Sequence, residues 1–111
     1  MIPLSYREAI MNYHGIDISE NRLAEFCRKW KVKELSLFGS VLREDFGPDS
    51  DIDVLVTFQP DALWSMWDLM DMREELQHLF ERTVDLVEKD ALRNPFRRHE
   101  ILQNHKVVYA A

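Results

Sequence analysis

Apolar residues recur along this chain with two different periods, and the switches between them mark out its elements. The first ten or so residues carry a weak helical spacing that ends near His14-Gly15. The helical period is clearer from Asp17. Leu23, Phe26, Cys27 and Trp30 form one stripe, and Asp17 with Glu20 three residues on reads as a capping box. Glu34 to Phe38 is a short apolar run closed by Gly39, which predicts a strand. Gly47-Pro48-Asp49-Ser50 has the composition of a turn. Ile52 to Phe58 follows, almost wholly β-branched or apolar, as the strongest strand signal in the chain.

Leu69, Met72, Leu76 and Leu79 then keep helical spacing inside a long helix expected over Leu63 to Arg82. Thr83 to Val87 predicts a third strand with Asp85 in its middle. Pro95 sits where a helix begins, with Phe96, Ile101 and Leu102 on its buried side, and Val107-Val108-Tyr109 supplies an edge strand. The resulting order is helix, helix, strand, turn, strand, helix, strand, helix. It predicts an α/β or α+β layer protein, a sheet of three to four strands covered by helices. Strand direction is not readable from the pattern.

Composition narrows this picture without redirecting it. A chain of 111 residues with 46% hydrophobic and 31% charged content fits one folded domain, residues 1–111, with no repeat, linker or low-complexity tract. No run of 18 apolar residues occurs, and Met1-Ile2-Pro3-Leu4-Ser5 lacks the basic and apolar regions of a signal peptide. The single Cys27 excludes an internal disulfide framework and suits a reducing compartment, so a cytoplasmic location is expected. On its apolar stripe Cys27 reads as core. A net charge of −6 argues against a long polynucleotide as main partner, because phosphate neutralisation needs a basic surplus. A nucleoside triphosphate is still compatible, since divalent cations bridge carboxylates to phosphates.

The candidate chemistry starts with Asp51 and Asp53. Residues two apart on a strand point to the same face, so their carboxylates project together and repel unless something positive lies between them. Arg43 is the one basic residue nearby in sequence, which makes a divalent cation the economical answer, magnesium or manganese for such hard oxygen donors. Asp85 interrupts an apolar strand. If that strand lies beside Ile52–Phe58, it completes a three-carboxylate cluster able to hold two cations about 3.5–4 Å apart. Gly39 lets the backbone approach a phosphate, amides at a following helix N-terminus favour anions, Ser40 adds a hydroxyl, and Arg43 adds a charged donor.

Phe38-Gly39-Ser40, ten intervening residues and Asp51-Ile52-Asp53-Val54-Leu55-Val56 together resemble the signature of the polymerase-β-like nucleotidyltransferase superfamily. A four-position match at fixed spacing arises by chance roughly once in several hundred chains of this size. The short chain resembles the minimal nucleotidyltransferase branch, as does its ending, Arg97-Arg98-His99-Glu100-Ile101 followed by Val107-Val108-Tyr109. The resemblance implies the nucleotidyltransferase fold, with a mixed sheet. It implies Ser40 on the triphosphate, Asp51 and Asp53 ligating both cations, and Asp85 as third ligand nearest the attacking hydroxyl. The implied reaction is nucleoside monophosphate transfer to a hydroxyl. Minimal members act as antitoxins that use ATP and Mg2+ to place AMP on a tyrosine of a HEPN-domain toxin. A hetero-oligomer with the toxin is then expected, a homodimer being open to the chain alone. Two other functions stay open: an antitoxin that masks its toxin without catalysis, and a nucleotidyltransferase acting on a small-molecule hydroxyl.

Other residues fit blander roles. Trp64, Met66, Trp67, Met70 and Met72 read as core, with a partner-docking patch as the alternative. His14, His78, His99 and His105 lack zinc-site spacing and read as surface or capping residues. Arg93, Arg97 and Arg98 form a basic cluster that either is solvated or contacts nucleotide or an acidic partner. Asp68, Asp71, Glu74, Glu75 and Glu81 mark the wet side of the long helix.

Overall fold

The strands of the main sheet carry the chain's most apolar runs, and they pair in the order β5-β4-β3-β6. β3 (Val32–Phe38) and β4 (Ile52–Phe58) are antiparallel neighbours, joined through the glycine-centred turn that the sequence marks. β5 (Val84–Glu88) lies parallel to β4, because the helix α2 (Met66–Phe80) returns the chain to the sheet between them. β6 (His105–Ala110) closes the other edge antiparallel to β3. The expected α/β layer architecture is therefore present, as a mixed four-stranded sheet. The computed structural model describes residues 9–13, 15–43 and 47–111.

Alternation on β4 divides the core. Ile52, Val54 and Val56 pack with Leu23, Phe26 and Cys27 of α1 (Glu20–Lys29) and with Met72, Leu76 and Phe80 of α2. Leu55 faces the opposite side, with Phe38 and with Ile101 of α3 (Pro95–Gln103). A strand covered on both faces reads as a nearly unbroken apolar run, which is why Ile52–Phe58 was the clearest signal. Cys27 is fully buried, and burial pushes its thiol up to about 12 against a small opposing effect of Arg28. Among the described residues, no helix is long and apolar enough to cross a membrane.

Two expected helix starts move. Residues 10–13 are a strand, β1, in a hairpin with β2 (Ile16–Ser19), turned through Gly15 at φ 90°. The rest of the expected N-terminal helix, residues 1–8, and His14 lie outside the described residues. Ile16 and Ile18 both bury, so the period-2 pattern holds Asp17 in the strand, where its carboxylate accepts from Asn12 Nδ2 at 2.8 Å. Asp17 thus caps nothing, and Ser19 Oγ accepts from the Arg22 amide instead. The capping box occurs on α2. There the Asp68 amide donates to Ser65 Oγ at 3.2 Å and the Ser65 amide to Asp68 Oδ2 at 2.8 Å.

The aromatic and acidic residues around α2 also sort differently from expectation. Trp64 meets Trp30 edge-on at 5.1 Å between centroids and donates Nε1 to the Trp30 carbonyl at 2.9 Å. Met72 is core. Met66 and Trp67, however, are 71% and 74% exposed, and Met70 and Leu63 are exposed beside them. Glu75 is not a simple solvated charge, since it accepts from Lys29 Nζ and from Trp30 Nε1 and so ties α2 to α1.

Candidate active site

Register on β4 and β5 sets the carboxylates. Asp53 is the direct Cα partner of Asp85, and Asp51 stands two residues before Asp53, just outside the start of β4. Asp51 and Asp85 are exposed and Asp53 is half-buried. Phe38, the last residue of β3, is the partner of Asp53 on the other side, so the β3 turn leaves the sheet beside that carboxylate.

Gly39 opens the turn at φ 72°, a left-handed conformation that costs L-residues roughly 1–2 kcal/mol. A Cβ there would lie 2.2 Å from Asp53 Oδ2, so the missing side chain is what lets carboxylate and turn meet. Residues Gly39–Leu42 form one 3-10 turn. The Ser40 amide donates to the Asp53 carboxylate, and its hydroxyl donates to the Asp51 carbonyl at 3.3 Å. Ser40 therefore stitches both aspartates to the turn. Arg43 follows, exposed, with its amide donating to the Ser40 carbonyl at 2.9 Å.

Beyond the turn lies a cavity of about 800 Å³ between α3, the start of β6 and Gly39. Its walls include Phe38, Arg43, Arg97, Glu100, Ile101 and His105. That volume falls within the range of small-ligand sites. Arg97 was visible in the sequence only as one of three clustered arginines. The cluster divides: Arg97 lines the cavity, whereas Arg98 Nη1 donates to the Lys89 carbonyl at 2.8 Å and holds α3 in place. His105 is half-buried with Nδ1 3.1 Å from the Leu102 carbonyl, a structural contact, and His78 and His99 are exposed.

Electrostatics mark Asp53 as the strained member. Burial raises its carboxyl above the usual range, Asp85 and Asp51 raise it further, and the Ser40 amide and Arg97 pull in the opposite direction. The raised state prevails, mainly because burial disfavours the charged form and secondarily because two further carboxylates stand nearby. Among the described residues, no three acidic, histidine or cysteine side chains converge closely enough as they stand to ligate one ion. The donor set still suits a hard divalent cation: carboxylate oxygens on and beside adjacent strands, next to the Gly39 that lines the open cavity. Such a set, next to anion-sized space and guanidinium groups, is equipped to bind a metal–triphosphate and to accept a proton.

Residues 20–108 match the family model of the nucleotidyltransferase domain. The protein adenylyltransferase MntA of Thermococcus cleftensis is 31% identical over 94 residues, which cover 85% of this chain and 85% of that protein. In fold, the chain resembles a toxin–antitoxin crystal structure with AMP-PNP at TM-score 0.67 and 20% identity, over 83% of this chain and 73% of that one. It likewise resembles a structure of tri-AMPylated Shewanella oneidensis HEPN toxin in complex with MNT antitoxin, at TM-score 0.60 and 19% identity, over 83% and 70% of the two chains.

Proposed function

The chain belongs to the nucleotidyltransferase domain family and is a nucleotidyltransferase, and from that premise we propose that it is an antitoxin that transfers AMP from ATP to a tyrosine hydroxyl of a HEPN-domain toxin. The observation that carries this reading is the pairing of Asp53 with Asp85, two residues from Asp51 and beside the Gly39 turn. The relative from Thermococcus cleftensis supports adenylyl transfer, and the two toxin–antitoxin structures support ATP as donor and the HEPN protein as acceptor.

In this reading Asp51, Asp53 and Asp85 hold magnesium, which when bound neutralises charge on the transferred phosphorus and on the leaving pyrophosphate. Gly39 and Ser40 keep the turn against Asp53, and Arg43 at the cavity rim offers a charged donor to the phosphates. The tyrosine oxygen bonds to the α-phosphorus as the bond from that phosphorus to the β-phosphate oxygen breaks, releasing pyrophosphate. Asp85, on the outer strand and exposed, takes the hydroxyl proton. One domain, residues 1–111, acting in the cytoplasm, completes the proposal.

A second reading, an antitoxin that masks its toxin by binding alone, draws on the exposed apolar face of Leu63, Met66, Trp67 and Met70. One experiment separates the two. Both proteins are incubated with labelled ATP and magnesium, and the intact mass of the toxin is measured. Catalysis gives mass increments of AMP that an Asp51→Asn, Asp53→Asn variant does not produce. No adduct, with toxin still neutralised by that variant, leaves the masking reading.

A further inference from the structure

The basic cluster at the start of α3 is split by the helix itself. Asn94 caps α3, its Oδ1 accepting from the amides of Phe96 and Arg97, which fixes the first turn. Arg98 then points down onto the Lys89 carbonyl, and Ile101, three residues on, buries beside Phe38 and Leu55. Neighbouring helical residues diverge by about 100°. Arg98 is thereby turned away to the Lys89 carbonyl, whereas Arg97, four residues before Ile101 and so on the same side of the helix, lines with it the cavity wall shared with Gly39 and Arg43. Arg97 is also close enough to act on the charge of Asp53.

We propose that Arg97 is a phosphate-binding residue for the donor nucleotide, holding the phosphates between Asp53 and the α3 side of the cavity. The inference rests on the nucleotidyl-transfer reading above. With the reacting phosphorus at Asp53 and the rest of the nucleotide in the cavity, the phosphates run past the one arginine of α3 that reaches both. A guanidinium suits this position because its planar fork of N–H donors matches two phosphate oxygens, and because it stays charged at every working pH. Arg43 follows the turn and Arg97 stands on the helix, so two elements bring a guanidinium to the same cavity. Arg93, in the same cluster, is exposed and is not among the cavity's lining residues, which makes it the matched control for loss of one positive charge.

The test is calorimetric binding of AMP-PNP with magnesium, and of adenosine in parallel, to the full chain and to Arg97→Ala, Arg97→Lys and Arg93→Ala. Arg97→Ala is expected to weaken AMP-PNP by about tenfold or more, the size of a charge-assisted contact, and to leave adenosine binding unchanged. Arg97→Lys keeps the charge without the fork and is expected to fall between. Arg93→Ala is expected to stay within about twofold of the parent protein, as a screened surface charge would. A wild-type chain that binds AMP-PNP, with Arg97→Ala no weaker than Arg93→Ala, overturns the role of Arg97 and leaves the transfer reading intact. Equal loss of adenosine and AMP-PNP overturns it too, since the cavity rather than the phosphate contact has then failed. A wild-type chain that binds no AMP-PNP overturns both.

Discussion

Gly39 meets two demands that no other residue satisfies together, a left-handed φ of 72° and open space 2.2 Å from Asp53 Oδ2. Gly39→Ala is expected to cost at least about 1–2 kcal/mol of stability from the backbone alone. It is also expected to lower AMP transfer by about 100-fold, since displacing a reacting group by around an ångström has that effect. Denaturant melts and the toxin mass assay read the two losses separately. Asp53 presents the opposite case. Its carboxyl is raised because its charged form is unfavourable in the metal-free fold, first through burial and then through Asp85 and Asp51. Asp53→Asn is therefore expected to stabilise the chelator-treated protein, by up to about 1 kcal/mol after solvent screening, while abolishing transfer. A melting temperature that falls would sink this. Both residues were legible in the sequence, because glycine and paired aspartates at fixed spacing are local signals. The clash that demands Gly39 was not, since it depends on where β4 lies.

At the scale of elements, the α1–α2 contact turns on Glu75. Burial raises its carboxyl, but hydrogen bonds from Lys29 and Trp30 and the charge of Lys29 outweigh that, leaving it below its ordinary 4.5. A lowered carboxyl adds stability that is present above the unfolded value and is lost as pH falls through the folded one. Glu75→Gln should thus cost up to about 1 kcal/mol at pH 7, and the difference should shrink as the pH is taken down below the ordinary 4.5. Urea melts of the two proteins along that pH series measure this. At the end of α2, Glu81 adopts φ 55°, a conformation glycine takes without strain. Glu81→Gly is expected to raise stability by up to about 1 kcal/mol, visible as a higher melting temperature.

Element boundaries explain most of what the sequence misjudged. Ile16 and Ile18 are too few to announce a strand, so the nearby Asp17–Glu20 pair looked like the start of the helix. Met66, Trp67 and Met70 crowd with Trp64 and Met72 around the start of the long helix, and Met and aromatic residues at that density usually fill a core. The helix turns them to solvent because α1 and the sheet already fill the space beneath Met72, Leu76 and Phe80.

For the whole molecule, a net charge of −6 and a half-buried Asp53 raised by burial and by the neighbouring Asp85 and Asp51 make metal binding and stability one question. Millimolar magnesium is expected to raise the melting temperature by a few degrees beyond sodium chloride of equal ionic strength, because a ligand bound to the folded state adds its binding free energy. Asp51→Asn with Asp53→Asn should erase the difference, and a chelator should reverse it in the wild-type chain. Equal shifts for both salts would mean screening alone.

The sequence by itself determined the strands of the main sheet, their order along the chain and the motif from Gly39 to Asp53, because β-branched runs, turn residues and short-range spacing act through a few neighbouring bonds. It also determined the reaction class, since that motif joins a phosphate-approaching turn to paired carboxylates. Only the tertiary structure decided that β5 lies parallel beside β4, which brings Asp85 to Asp53 across 32 positions of sequence. It alone brought Arg97, rather than Arg93 or Arg98, to the cavity that Arg43 also lines. Both outcomes depend on how helices bury their faces against the sheet, a balance of many distant contacts that no local pattern encodes.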